Sequence, residues 1–410
     1  MRVPGVWKRG LGCLLLAVGL QAATDSPVFR EIGRYVSELS SITGLRVKKT
    51  VRYEQIDRAR VNEYLKERVK EAVEPEQIRA EEITLKKFGF VPMDFNLEKS
   101  TVDLLTEQAA AFYDFRKKRL FLTNWTSSSM TETALVHELA HALADQHFNL
   151  EKFTRGAGES DDSALARISV MEGQASWLMS EVIARERGET LIGHPDLARM
   201  VVKAAEGNGS GYPVFDASPL YMRETLIFPY TSGMLFQQAV VDREGKPGFS
   251  RVFREPPVST QQILHPEMYY DRVQPTRPKL PEAPVRKGWK TLAKGMVGEL
   301  DHSILLRKAK ADSGLATHWR GGVYEVLEDK AKTRTILLYA VDWDTADSAT
   351  QYFEAYRRVL AAKWSRMEIS RELPSTLSGT SEDGCFEVRL AGSVVRSVEG
   401  AEPPAGGRCP

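Results

Sequence analysis

The segment that most restricts the fold is Leu135-Val136-His137-Glu138-Leu139-Ala140-His141-Ala142-Leu143. Its apolar residues occupy nearly every side of a helix, which marks that helix as buried rather than amphipathic. It nevertheless carries two histidines and a glutamate, and burying such groups without partners costs several kcal/mol. Positions i and i+4 of a helix lie one turn apart on one face, so His137 and His141 can hold one ion between them. Glu138 then projects beside that ion, where it can take a proton from bound water. With seven histidines in 410 residues, an HExxH string arises by chance in roughly one such sequence in a hundred. The bland alternative is a pair of satisfied core histidines.

Composition narrows the metal chemistry. Three cysteines exclude a disulfide scaffold and any four-cysteine zinc or iron–sulfur cage, so a metal site here must use histidine and carboxylate. The balance of 56 Lys+Arg against 55 Asp+Glu argues against a polybasic nucleic-acid binder or an acidic disordered tail. It also leaves a cleft with no evident electrostatic preference. At 410 residues the chain has room for two or three domains and a full core.

Arg2, Lys8 and Arg9 precede an apolar run from Leu11 to Leu20, with Ala22 and Ala23 after it. This reads as an export signal over residues 1–22, too short to span a bilayer. The mature chain is expected to be secreted or periplasmic, with no integral membrane segment. Only Cys385 and Cys409 then remain, either as a disulfide or as two free thiols.

Along the mature chain the pattern predicts mostly helices from about Val28 to Leu105, with a strand near Leu45–Tyr53 and a charged amphipathic helix over Asn62–Arg79. Ala111–Tyr113 and Leu120–Leu122, flanking a polar turn, predict a β-hairpin. Ser129-Met130-Thr131-Glu132 reads as a capping box for a helix running to Phe148, and Asp161-Asp162-Ser163 as the cap of a second helix running to Arg187. Pro256 to Pro284 reads as an extended surface connection. Beyond it, Thr335–Val341 as a strand, Ser348–Trp364 as a helix and Phe386–Leu390 with Ser393–Val398 as a hairpin suggest a small α+β unit. The expected organisation is a metallopeptidase-like domain over 23–283, an accessory domain over 284–400 and a loose tail over 401–410. The fold class is α+β, with a mainly helical first domain. The tryptophans of the second domain, in turn-like contexts such as Thr317–Tyr324 and Val341–Asp344, read as core or interface anchors ahead of an exposed binding surface.

A catalytic zinc needs a third protein ligand and an open position. His147 completes an HExxHxxxxxH spacing, but Ala144 stands where a glycine would let the helix turn back. On an unbroken helix His147 points away from the His137/His141 face. Glu172 lies 31 residues after His141, in the middle of the second helix. Ser169 and Ser176 share its face and Gly173 adjoins it, so two helices can pack closely there. This favours Glu172 over His147. Tyr230 and His265, both read as lying in Pro-marked turns, are candidates to stabilise a developing oxyanion, with a packed tyrosine and a turn histidine as the alternatives. His194, His302 and His318 have no ligand spacing and read as structural or surface residues.

The stretch from Val136 to Phe148, followed by Met171-Glu172-Gly173-Gln174-Ala175, resembles a group of secreted bacterial HExxH…E proteins whose signature reads roughly HELxHAxxDQHF, then EGDA. Phe228-Pro-Tyr-Thr-Ser-Gly233 and the segment from Pro256 to Tyr269 resemble that group as well, and the similarity extends from about Phe29 to Val398. The resemblance implies a gluzincin-like peptidase fold binding one zinc ion, with His137, His141 and Glu172 as ligands and Glu138 as base. It implies a peptide or protein substrate and names none. Gln174 departs from the group's aspartate, and an aspartate there could orient a zinc-bound histidine. The rival expectation is a non-catalytic, zinc-stabilised binding protein of the cell envelope on the same fold.

Overall fold

The computed structural model describes residues 30–57, 59–61, 63–64, 75–108, 111–123, 128–158, 160–206, 212–285, 288–403 and 409. The expected export signal and much of the Asn62–Arg79 helix lie outside them. The protein is α+β. In its first part come α1 (Ile32–Thr43), β1 (Arg52–Ile56), α2 (Pro75–Phe88), α3 (Leu97–Gln108), β2 (Ala111–Asp114), β3 (Arg119–Thr123), α4 (Ser128–Phe148) and α5 (Leu150–Arg155). There follow α6 (Asp161–Glu186), α7 (Pro195–Glu206), α8 (Pro213–Ala217), α9 (Leu220–Glu244), α10 (Lys246–Arg254), α11 (Thr260–Leu264) and α12 (Pro266–Tyr270). The last part comprises β4 (Lys290–Met296), α13 (Glu299–Lys308), β5 (Trp319–Glu328), β6 (Thr335–Trp343), α14 (Ala346–Lys363), β7 (Met367–Leu373), β8 (Thr376–Ser381), β9 (Gly384–Ala391) and β10 (Val394–Ala401).

Three strands form a small mixed sheet ordered β1-β3-β2, in which β1 runs parallel and β2 antiparallel to β3. The strand expected near Leu45–Tyr53 forms later, at Arg52–Ile56, because its partner Arg119–Thr123 pairs only there. The β2–β3 hairpin closes through Phe115-Arg116-Lys117-Lys118, with Lys118 at φ 51°. Asp114 Oδ1 accepts the N–H groups of Arg116 and Lys117 and so ties the turn down.

Helix α6 is buried along most of its length, and its cap is Ser160, whose hydroxyl accepts the Ser163 N–H. The predicted cap residues Asp161 and Asp162 instead make long-range bonds. The Tyr324 hydroxyl donates to Asp161 at 3.0 Å, and Thr260 donates to Asp162 through its N–H and, at 2.5 Å, through its hydroxyl. These bonds also correct the reading of Pro256–Pro284 as a surface connection. Its first half forms α11 and α12, buries Ser259 to Ile263, and sends the Gln261 amide to the Trp319 carbonyl at 2.7 Å.

The last part is built on a seven-stranded antiparallel sheet ordered β4-β5-β6-β10-β9-β8-β7. Trp319 and Trp343 are buried in it, as core anchors rather than a binding surface. One continuous apolar core joins this sheet to α4, α6 and α9. Helix α2 reinforces the joint, since Phe88 packs edge-on against Tyr324 and Tyr339 while Lys87 bonds Asp383 at 2.7 Å. Cys385 and Cys409 form a disulfide, which pins the end of the segment expected to be loose. Among the described residues, no helix is long and apolar enough to cross a membrane.

Candidate metal centre

Helix α4 places His137 and His141 one turn apart, with their rings 4.8 Å between centroids and nearly perpendicular. Helix α6 crosses α4 so that Glu172 reaches both. Glu172 Oε2 lies 3.1 Å from His137 Nε2 and 3.2 Å from His141 Nε2, and the two Nε2 atoms are 3.1 Å apart. Three electron-pair donors thus converge on one point in a buried setting. Tetrahedral zinc, with bonds of about 2.0–2.2 Å to nitrogen and oxygen, separates its ligand atoms by about 3.3 Å, so this triangle fits such an ion. Burial raises the Glu172 carboxyl, but the charges and hydrogen bonds of His141 and His137 outweigh it and hold it down at about 2. The third donor therefore stays ionised.

Glu138 is oriented differently. Its Oε2 accepts the Tyr113 N–H of β2 at 2.7 Å. Alternate residues of an antiparallel strand turn their main-chain groups to opposite sides, so Tyr113 directs its own away from β3, toward α4. Burial, with the nearby Glu172 charge, pushes the Glu138 carboxyl up to about 8 against the pull of His137 and the Tyr113 N–H. A ligand oxygen of Glu138 also lies within 4.8 Å of those of the two histidines. The contacts of Glu172 with both imidazoles are much shorter, at 3.1 and 3.2 Å, so it is the better-placed candidate for a third ligand. Two carboxylates in one site are thereby driven apart, one permanently charged and one able to hold a proton near neutrality.

Tyr230 joins the cluster, though not from a turn: Pro229 and Tyr230 lie inside α9. The Tyr230 ring stacks on His137 at 5.9 Å, with 25° between planes. The residue is 38% exposed, but its hydroxyl end faces Glu172 and Glu138, and burial together with those charges keeps it protonated well above the usual tyrosine range. His265 is elsewhere. Its Nε2 pairs with Glu299 at 2.8 Å, which raises its pKa, and among the described residues no contact joins it to the histidine pair. His147 bonds the Arg46 carbonyl at 2.8 Å and takes no part in the cluster.

The small residues beside Glu172 do admit a second helix, and that helix is α9. A Cβ on Gly173 would lie 2.1 Å from the Gly233 carbonyl carbon, and one on Gly233 would lie 2.4 Å from the Ser169 oxygen. The close crossing is therefore between α6 and α9, not between α6 and α4. It accounts for Phe228–Gly233 as a unit: Gly233 admits the backbone of α6, and Tyr230, one turn earlier, covers His137. Gln174 makes its bonds to the Phe249 carbonyl at 3.1 Å and the Gln237 amide oxygen at 3.4 Å, and none to the histidine pair. The departure from aspartate at 174 thus concerns helix packing rather than histidine orientation.

What sequence reading missed is Tyr113. Asp145 and Glu138 are seven residues apart, two helical turns, and so share a face of α4. Glu138 takes the Tyr113 N–H and Asp145 takes its hydroxyl at 3.0 Å. The i, i+7 spacing of two carboxylates was the available signal.

Residues 286–407 match the model of a family described as a domain of unknown function, DUF8575. The match spans the seven-stranded sheet and includes none of the residues of the metal cluster. No curated protein and no solved structure matches the chain.

Proposed function

We propose that the protein is a zinc-dependent peptidase. The observation that carries this reading is the arrangement of His137, His141 and Glu172 within 3.2 Å of one another, with Glu138 pinned beside them by a β-strand edge. Those three side chains would hold the ion, whose contribution when bound is to acidify a water and polarise a carbonyl. Glu138 accepts the proton of the attacking water and returns it to the leaving amine, and a nearby cation would bring its raised pKa down toward that of a working base. The Tyr230 hydroxyl, protonated and facing the cluster, donates to the oxygen on which negative charge develops. Strand β2 is a sheet edge, and Ala111 turns its main-chain groups, and Tyr113 its carbonyl, to the outer side, where an extended peptide can align by strand addition while the Tyr113 N–H stays on Glu138. The α+β fold, with a small sheet before the HExxH helix, and the motif resemblance support this reading. Export from the cytoplasm is part of the same proposal, supported by the charged and apolar N-terminal segment and by the Cys385–Cys409 disulfide.

The test combines metal analysis with a Glu138→Gln variant. The expected result is about one zinc per chain in both proteins and a loss of peptide hydrolysis of about 10²–10⁴-fold in the variant, the size of a general-base contribution. Zinc retained with hydrolysis unchanged would remove Glu138 from its role. Zinc bound with no hydrolysis of any peptide by the wild type would favour a non-catalytic binding protein. A metal-free chain that folds normally would refute both readings.

A further inference from the structure

The segment Lys48–Arg52 and the β2–β3 turn enclose a pocket of about 800 Å³, within the size range of ligand sites. Tyr113 is a wall of this pocket, and the N–H of the same residue holds Glu138, so the pocket adjoins the metal cluster. Five of its lining residues are cations, Lys48, Lys49, Arg52, Lys117 and Lys118, against one carboxylate, Asp145. That carboxylate is already engaged. It is buried and accepts bonds from Lys118 Nζ at 2.7 Å, the Tyr113 hydroxyl at 3.0 Å and the Leu150 N–H at 3.0 Å. Lys48 Nζ rests on the Gln146 carbonyl at 3.0 Å, and among the described residues Lys49, Arg52 and Lys117 pair with no carboxylate. The positive charge is therefore local, in a chain whose net charge is only +1.

The cations are also held in place. Gln146 Oε1 accepts the N–H groups of both Lys48 and Lys49, and its amide donates to the Lys49 carbonyl. Lys118 occupies a left-handed backbone position at φ 51°, where glycine is less strained, and its side chain is the one that neutralises Asp145. Arg52 opens β1, and Lys117 and Lys118 lie in the β2–β3 turn of the small sheet whose β2 strand holds Glu138.

We propose that this pocket is a substrate subsite for acidic side chains, so that the protein selects polypeptides carrying glutamate or aspartate close to the bond it cleaves. The position beside that bond rests on the peptidase reading above; the preference for acidic peptide does not. Along α4, Asp145 lies one turn beyond His141, about 6 Å. An extended peptide advances about 3.3 Å per residue, which puts the acidic side chain about two residues from the scissile bond. A single-stranded nucleic acid fits less well, because the one aromatic in the lining, Tyr113, is buried and its hydroxyl is bound to Asp145, which leaves no stacking platform.

The test uses the full-length mature chain loaded with zinc and carrying Glu138→Gln to prevent turnover. Fluorescence anisotropy compares a labelled octapeptide with two central glutamates, the same peptide with glutamines, and a labelled oligothymidylate. The expected result is at least tenfold tighter binding of the glutamate peptide than of the glutamine peptide, an advantage that fades in high salt. Lys49→Ala with Lys117→Ala is expected to remove about tenfold of that affinity, and Arg52→Gln part of it; all three residues are exposed, and equal melting temperatures would show that the variants fold. Equal binding of the two peptides, unchanged binding by the double variant, or tighter binding of the oligonucleotide would each overturn the proposal. If the glutamate preference holds but the wild type hydrolyses no peptide, the peptidase reading fails and the acidic-peptide site stands. If the wild type hydrolyses peptides yet binds both octapeptides equally, the reverse is true.

Discussion

Gly173→Ala tests whether the metal site depends on the crossing of α6 and α9. In the wild-type structure the added methyl carbon would lie 2.1 Å from the Gly233 carbonyl carbon, 2.2 Å from its oxygen and 2.6 Å from its Cα. Ordinary contact begins at 3.4 Å, so the helices must separate locally by about 1.3 Å, the difference between 3.4 and 2.1. The obstacle is backbone at the middle of two long helices, and no side chain can rotate out of the way. Overpacking of this kind costs about 1–3 kcal/mol, and the rigidity of the neighbour places the estimate near 3. A melting temperature lower by about 3–4 °C follows, since an unfolding entropy of about 2.1 cal/mol/K per residue over 410 residues gives about 1.2 °C per kcal/mol. Glu172 is the adjacent residue, so a shift of α6 also moves Oε2 off the two imidazoles and weakens zinc binding by tenfold or more. Scanning calorimetry and zinc titration of the variant read both effects. The control is Gly33→Ala in α1, where the new Cβ meets nothing within 4 Å; it should stabilise by about 0.5–1 kcal/mol through helix propensity alone. A Gly173→Ala protein that melts and binds zinc like the wild type would refute the argument.

Three further outcomes are expected. Glu172→Gln should lower zinc affinity about 100-fold or more in competitive titration while His147→Ala leaves it unchanged; loss with His147→Ala alone would reverse the ligand assignment. His302 is fully buried and held neutral, donating from Nδ1 to the Gly298 carbonyl and accepting from the Tyr339 hydroxyl at Nε2, and burial lowers its pKa to about 4. Unfolding frees it to titrate near 6.5. Its contribution to stability is complete above pH 6.5 and is lost as pH falls toward 4, by about 3 kcal/mol in all, so chemical denaturation of His302→Gln should show a shallower loss of stability across that window, and an unchanged slope would contradict the assignment. Reduction of Cys385–Cys409, which closes a loop with a sequence separation of 24, should destabilise the protein by about 3 kcal/mol; identical denaturation curves with and without reductant would show that the crosslink constrains little.

The legible parts of this protein are those set by short-range geometry. The i, i+4 pair His137/His141 and the intervening Glu138 follow from helical periodicity, and the hairpin around Asp114–Arg119 from alternation and a polar turn. In the last part β6, α14 and the β9–β10 hairpin were legible for the same reason, whereas β4, α13, β7 and β8 were not, and Thr317–Tyr324, read as turn-like, enters strand β5 at Trp319. Glu172 was reached by an argument about close helix packing that left the partner helix unnamed; Gly173 meets Gly233 of α9. Tyr230 was singled out as the occupant of a turn and stands instead within a helix that contains a proline. His265 was named from its prolines and serves the joint between α11, α12 and α13.

Taken alone, the chain determined that two histidines and a glutamate share a buried helix, because periodicity acts within one element and needs no partner. It also determined that any metal site must be built without a cysteine cage. Only the tertiary structure decided which distant carboxylate completes the site and which main-chain N–H orients Glu138. It also decided where the charge lies. Cations separated by some 65 residues, from Lys48–Arg52 to Lys117–Lys118, are brought to one wall, and a composition that sums to nearly zero cannot show a field made by placement.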